Sequence, residues 1–148
     1  MKIGFTGTRD GMSEAQKQRF VELLAGLSEF HHGDCIGGDE DSHLIVRQFM
    51  PGARITVHPP DNPSRRAFVQ DADAYREPAP YLERNRYIVD ETDSLIATPV
   101  GFDEEVRSGT WFTVRYARQQ GRPIKIIYPD GSVAEEPGLV VSDTQKET

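Results

Sequence analysis

Apolar residues along the chain occur in short blocks whose spacing alternates between that of strands and that of helices. Runs rich in β-branched residues and bounded by Gly, Pro or Asp predict strands at residues 1–5, 29–33, 54–58, 94–98 and 124–128. Residues 13–27 place apolar side chains at helical spacing, and Ser13 with Gln16 forms a capping-box sequence. Further helices are predicted from about residue 39 to 50, at 81–91 and at 108–120.

The segment from residue 94 to 128 contains the clearest unit of this alternation. A buried strand, a helix that ends before Gly121 and Pro123, and a second strand follow one another closely. This order is typical of a right-handed βαβ crossover with parallel strands. The sequence therefore predicts an α/β fold: a Rossmann-like three-layer domain with a mostly parallel central sheet. In such sheets ligands bind at the carboxyl edge of the strands.

The turn Ser108-Gly109-Thr110 opens the helix of this unit and resembles an anion site in its residue types. Small residues at a helix start leave backbone N–H groups uncovered, and the helix dipole adds partial positive charge. Two hydroxyls add donors. An ordinary N-cap without a ligand has the same sequence, so other anion-binding turns at the same edge are needed to support the prediction.

Two earlier strand-to-helix turns are rich in glycine and have the same position in the alternation. Gly7 would turn the chain after the first strand, where Thr8 and Arg9 could hold a phosphate, although Arg9 suits a solvated surface equally well. After the second strand, glycines permit close approach of a ligand to the backbone, and a carboxylate either caps the helix or accepts hydrogen bonds from a ribose. The residues of this turn after the second strand are Asp34, Gly37, Gly38 and Asp39.

Arginines elsewhere in the chain are candidates for neutralising the charge of a ligand. Residues 59–80 form a long polar stretch, typical of a lid, a binding loop or a solvated loop, and contain Arg65, Arg66 and Arg76. Arg84 and Arg86 lie two positions apart on a predicted helix and therefore point in different directions. One of this pair would face the ligand edge, and the other would pair with an acid.

Composition restricts the classes of function. The chain has 148 residues and a net charge of -7, so we expect one domain and no broad nucleic-acid coating. No apolar run reaches membrane-spanning length, and the N-terminus lacks a signal sequence, so no membrane partner is expected. Cys35 is the single cysteine, which excludes an internal disulfide and fits a cytoplasmic protein.

Five residues of one short stretch are of types that bind metal ions: His31, His32, Asp34, Cys35 and His43. Their spacing matches no standard zinc pattern, and two adjacent histidines on a strand point to opposite faces. Packing and capping are the favoured roles, and neither a metal nor a cofactor is predicted. Residues 130–148 are expected to be a C-terminal extension with an edge strand at 139–141 and a disordered end.

The combination of Arg84-Asn85-Arg86 with Arg107-Ser108-Gly109-Thr110 resembles the SLOG superfamily of Rossmann-like proteins, most closely its DNA-processing protein A branch. The resemblance covers residues 1–129, which we expect to form one SLOG-like domain. It implies a nucleotide or nucleotide-derived small molecule as the ligand. It also implies homo-oligomerisation, because the superfamily often dimerises.

Two branches of this superfamily supply alternative functions. The Lonely-guy phosphoribohydrolases cleave N-glycosidic bonds with a PGGxGTxxE turn, but Thr113 stands where this turn has its Glu. An N-glycosidase acting on a nucleoside monophosphate or an NAD-like ligand would then need Glu104, Glu105 or Asp34 as its carboxylate. The other branch implies single-stranded DNA binding, which the acidic composition disfavours. Binding of a nucleotide-like small molecule is the leading hypothesis.

Overall fold

A computed structural model describes residues 1–138 of the chain as one seven-stranded sheet with helices on both faces. The strand order is β4-β3-β2-β1-β5-β6-β7, and every pair is parallel except β6 with β7. The strands are β1 (Lys2–Thr6), β2 (Glu29–His32), β3 (Arg54–Val57), β4 (Ala74–Tyr75), β5 (Ser94–Ala97), β6 (Ile124–Ile127) and β7 (Val133–Glu136), and the helices are α1 (Glu14–Glu22), α2 (Gly38–Phe49), α3 (Tyr81–Asp90) and α4 (Gly109–Gln119).

The order of the strands identifies a topological switch point between β1 and β5. From β1 the chain winds outward through β2 and β3, and it then returns to the other side of β1 with β5. Loops that leave the carboxyl ends of β1 and β5 therefore run in opposite directions and open a crevice between them. The predicted Rossmann-like α/β fold is confirmed, and so is the parallel pairing of the strands in the 94–128 unit.

Each face of the sheet has its own hydrophobic core. On the α1 and α2 side, Phe5, Phe20 and Phe30 are fully buried, with ring centroids 5.5 to 6.0 Å apart. On the other side, α4 packs Trp111 and Val114 against β5 and β6. Alternate residues of a strand supply the two cores, as the period of two requires.

The helix α1 is anchored at its start by the predicted capping box. Ser13 Oγ accepts the N–H of Gln16, and the Gln16 side chain accepts the N–H of Ser13. The buried Gln16 amide also donates to the carbonyls of Pro99 and Ile127, at 2.8 and 2.9 Å. One side chain thereby joins α1 to the carboxyl ends of β5 and β6.

Three elements differ from the sequence prediction. Helix α1 ends at Glu22, and turns complete the stretch to Leu27. The polar stretch 59–80 contains the two-residue strand β4 and a 3₁₀ turn at Pro63–Arg65. Residues 133–136 extend the sheet as β7, because Val133 and Ala134 pack on the core beside β6. The predicted edge strand at 139–141 and the disordered end lie outside the described residues.

Within residues 1–138, no helix is long and apolar enough to cross a membrane.

Candidate functional site

A pocket of about 110 Å³ lies at the switch point, above the carboxyl ends of β1 and β5. It is bounded by the turn after β1, the start of α2, the inner face of α3 and the first turn of α4. The lining residues that carry polar chemistry are Thr8, Arg9, Cys35, Asp39, Arg65, Tyr81, Arg84, Asn85, Ser108, Gly109 and Thr110. Most of the residues predicted for a ligand therefore lie around one cavity.

The first turn of α4 presents free backbone donors to this pocket. Ser108 is the N-cap, and its Oγ accepts the N–H of Trp111. The N–H groups of Gly109 and Thr110 have no acceptor in the described part of the chain, as expected for the first residues of a helix. The Thr110 hydroxyl is engaged, because it donates to the Gly7 carbonyl at 2.7 Å. The two turns that meet at the pocket are thus joined directly.

The glycines after β2 pack against the turn after β1 and do not line the pocket. Gly37 has φ of 100°, and a Cβ on it would overlap the carbonyls of Thr8 and Arg9. Gly38 donates its N–H to the Thr8 carbonyl at 2.8 Å. These glycines therefore set the distance between two loops. The Thr8 side chain remains without a partner, since its buried Oγ1 makes no hydrogen bond within residues 1–138.

Arg84 is the most extensively hydrogen-bonded cation of the pocket within residues 1–138, and its guanidinium is buried. Nη1 donates to the carbonyls of Gly33 and His58, and Nε donates to the Tyr81 carbonyl. Nη2 lies 3.0 Å from Cys35 Sγ. Among the described residues no carboxylate forms a salt bridge with Arg84. Its charge is therefore available to a ligand.

The ring of Tyr81 lies close to two arginines and beside the start of α4. The guanidinium carbons of Arg65 and Arg84 are 5.0 and 5.5 Å from the ring centroid, within the range of cation–π attraction. The Tyr81 hydroxyl occupies the space that a side chain on Gly109 would need. Burial raises the pKa of Tyr81, so its hydroxyl stays protonated as a donor near the free N–H groups of α4.

Asp39 supplies the only carboxylate among the residues that line the pocket. It lies in the first turn of α2, is 7% exposed, and accepts the N–H of Cys35 at 3.0 Å. Burial raises the pKa of the Asp39 carboxyl from 3.8 to about 6, although the nearby Arg84 guanidinium acts in the opposite direction. Burial and the neighbouring Asp39 also raise the pKa of the Cys35 thiol.

The three carboxylates predicted as catalytic candidates lie elsewhere. Asp34 is fully buried, binds Arg66 Nε at 2.8 Å and accepts the N–H of Val69, so it anchors the loop after β3. Glu104 pairs with Arg115 and Arg118 on the outer side of α4, and Glu105 is exposed next to it. None of these carboxylates lines the pocket.

The two arginines of α3 point in different directions, as their spacing predicts. Arg84 faces the pocket, whereas Arg86 is exposed and lies 5.5 and 5.8 Å from the rings of Phe112 and Tyr116 on α4. Arg86 therefore makes no contribution to the pocket wall, and its partners are aromatic rings instead of the expected acid.

The sequence predicted Arg84 of α3 as a ligand contact but missed the other residues of this helix that line the pocket. Tyr81, Arg84, Asn85 and Ile88 all line the pocket, and their spacing of three and four residues places them on one helix face. That spacing was the available signal. The spacing identifies pocket residues only when it is also known that α3 lies over the carboxyl end of β1. The local sequence pattern does not contain that information.

Comparison with known proteins supports the fold alone. No family model matches the chain, and no curated protein matches it. The solved X-ray structure of TM1055, a structural genomics target, superposes with a TM-score of 0.59 at 15% identity, over 83% of this chain and 71% of that one. At this level of identity the similarity concerns the Rossmann-like architecture.

Proposed function

We propose that the protein binds a nucleotide or a nucleotide-derived small molecule in the pocket at the switch point. One observation supports this most strongly: a chain with a net charge of -7 places three arginines and one carboxylate around this single cavity. The arginines are Arg9, Arg65 and Arg84. Such a local excess of positive charge favours an anionic ligand over the rest of the acidic surface.

The phosphate of the ligand would lie against the N–H groups of Gly109 and Thr110. A helix N-terminus attracts phosphate through its free donors and its dipole, and Arg84 adds a fixed charge. The unpaired Thr8 hydroxyl supplies a further donor. At about 110 Å³ the cavity is smaller than the roughly 150 Å³ cavities that hold benzene, so it suits a group of the size of a phosphate. The base would lie over the open rim, near Tyr81.

The resemblance to the SLOG superfamily agrees with this proposal. We propose that the protein is a SLOG-like member of the Rossmann-like fold. The two fragments that carry the resemblance contribute Arg84, Asn85, Ser108, Gly109 and Thr110 to the same pocket. Both fragments are thus next to the proposed phosphate.

A calorimetric titration with a panel of nucleoside mono- and diphosphates tests the proposal. Wild type is compared with Arg65→Gln and with the control Arg54→Gln, which removes one exposed charge at the opposite edge of the sheet. We expect Arg65→Gln to weaken binding by about 10-fold, the effect of one charge-assisted contact, and the control to bind as wild type does. Equal binding by all three proteins, or no binding of any nucleotide, would contradict the proposal.

A second function, N-glycoside hydrolysis, is favoured by Asp39. A carboxyl whose pKa is about 6 holds a proton for part of the time near neutral pH, as a general acid or base requires. In this reaction the bond between the anomeric carbon and the base breaks, water adds to that carbon, and the released base takes up the proton. Asp39 replaces the predicted candidates in this role, because it alone of the four lines the pocket.

Release of free base, followed by chromatography, separates hydrolysis from binding. We expect Asp39→Asn to abolish release while nucleotide binding persists, and Glu104→Gln to release base at the wild-type rate. If wild type releases no base from any nucleotide on the panel, the protein is a binding module only. Equal rates for wild type and Asp39→Asn would exclude Asp39.

A further inference from the structure

Two pairs of buried histidines lie on opposite faces of the sheet, and they differ in how their ring nitrogens are satisfied. In the first pair, His32 Nδ1 accepts the N–H of Asp34, so its Nε2 donates to His43 Nδ1 at 3.0 Å. His43 Nε2 then donates to the carbonyl of Gln70 at 2.9 Å. Every ring nitrogen of this pair has a partner, which agrees with a structural role.

In the second pair, His31 and His58, the same reasoning leaves one nitrogen unsatisfied. The Glu29 carboxylate accepts from His31 Nε2 at 3.2 Å, so His31 Nδ1 carries a lone pair. This lone pair accepts from His58 Nε2 at 2.7 Å. His58 Nδ1 is then a bare lone pair in a residue that is 1% exposed, and it has no hydrogen-bond partner within residues 1–138.

A carboxylate, which cannot donate a hydrogen bond, lies close to this unsatisfied nitrogen. Glu91 Oε2 lies 4.0 Å from His58 Nδ1, while the other oxygen of Glu91 is held by Arg76 at 2.7 Å. Both of these electron-rich groups, one buried and one partly exposed, are satisfied by a cation between them.

We propose that His31, His58 and Glu91 bind a divalent transition-metal ion, with zinc as the best fit. Each of them offers one ligand atom, and the three atoms lie within 4.8 Å of one another. When the metal binds, the lone pair of His31 Nδ1 coordinates it and gives up the hydrogen bond from His58 Nε2. Ligands of four-coordinate zinc are about 3.4 Å apart, given bond lengths of about 2.0–2.2 Å. Glu91 can close most of this gap because its side chain is 36% exposed and is held on one side only.

The chemistry of the donors decides which metals fit. Two imidazoles and one carboxylate favour zinc and its neighbours over magnesium and calcium, which prefer oxygen ligands. Glu29 supplies the carboxylate that fixes the His31 ring, an arrangement common around metal-binding histidines. The site is separate from the pocket, because none of its three residues lines that cavity.

Calorimetric titration of the metal-free protein with zinc chloride tests this site. We expect one equivalent to bind, Glu91→Gln to weaken binding at least 10-fold, and magnesium chloride to give no heat. Arg76→Gln removes the competing partner of Glu91 but no ligand, so it should bind zinc as well as wild type or better. His43→Gln is the matched control on the opposite face and should leave the affinity unchanged.

Cobalt absorption supplies a second measurement that does not depend on affinity alone. Bands of four-coordinate cobalt in wild type and in His43→Gln, lost in Glu91→Gln and in a folded His58→Gln, would support the assignment. Wild-type protein that binds no zinc would overturn it. So would a Glu91→Gln variant that binds zinc as tightly as wild type.

Discussion

The guanidinium group of Arg84 occupies the space in which a side chain on Gly33 would lie, and it donates a hydrogen bond to the carbonyl of the same glycine. Arg84 can therefore lie in the pocket only because the residue at position 33, on the loop after β2, has no side chain. Gly33 is buried, and its own backbone angles suit any residue, so only this close approach requires glycine.

Gly33→Ala should displace Arg84 and destabilise the protein by about 1–3 kcal/mol, the usual cost of overfilling a packed interior. Urea denaturation measures this loss. Gly101→Ala is the control, since a Cβ there meets nothing within 4 Å. If both variants unfold at the wild-type urea concentration, Arg84 is not held as described.

Asp39→Asn should make stability less dependent on pH. Between pH 3.8 and about 6 the folded protein keeps the Asp39 proton that the unfolded chain has already released, so wild type loses stability as the pH rises through this window. Asn does not titrate. The stability of Asp39→Asn minus that of wild type should therefore rise by about 2 kcal/mol from pH 4 to pH 7.

Asp73→Asn serves as a control of opposite sign when the same urea measurements are extended below pH 4. A hydrogen bond from Arg47 lowers the pKa of Asp73, so wild type gains stability from this group as the pH rises through the range below its usual value. The difference between this variant and wild type should fall with increasing pH. A difference that is flat for Asp39→Asn would show that its carboxyl titrates normally.

Gly37→Ala should be more destabilising than Gly26→Ala, although both glycines have positive φ, of 100° and 81°. Each substitution carries a strain of about 1–2 kcal/mol from the backbone angle. At Gly37 the new methyl group also overlaps the carbonyls of Thr8 and Arg9, whereas at Gly26 it meets nothing within 4 Å. Equal unfolding midpoints would mean that the two loops are not in contact.

Gln16→Ala should lower the free energy of unfolding markedly, although it removes only one side-chain amide. It removes the donor shared by the carbonyls of Pro99 and Ile127, and a buried carbonyl left unpaired costs about 1–3 kcal/mol. Gln18→Ala, two residues further along α1 and exposed, should change the free energy of unfolding by less than about 0.5 kcal/mol. Thermal unfolding of both variants separates the two roles.

Local patterns in the sequence predicted the fold well, because each long element has its own signal. The capping box at Ser13, the strand-helix-strand unit at 94–128 and the positive φ of Gly121 all follow from neighbouring residues. The strands β4 and β7 lack such a signal. β4 has only two residues, too few to show a period, and Glu135 and Glu136 make β7 polar. Both segments become strands because they pair with β3 and β6, respectively.

The location of the pocket could be predicted from the sequence, but only part of its lining could be. Turns after parallel strands must meet at one edge, which is why Thr8, Arg9 and Ser108 lie together. Gly37 and Gly38 were expected to make room for a ligand, but they make room for another loop. The roles of Tyr81 and Asp39 depend on the depth at which each is buried, which the sequence does not contain.

The two edge strands of the sheet, β4 and β7, affect the tendency of the protein to aggregate at high concentration. β4 exposes a backbone rim only two residues long, and β7 carries Glu135 and Glu136. Aggregation by strand addition requires a long, flat, uncharged margin to which a second molecule can hydrogen-bond. Neither margin within residues 1–138 has these properties, so copies of this domain should stay separate at high concentration unless they associate through their helices.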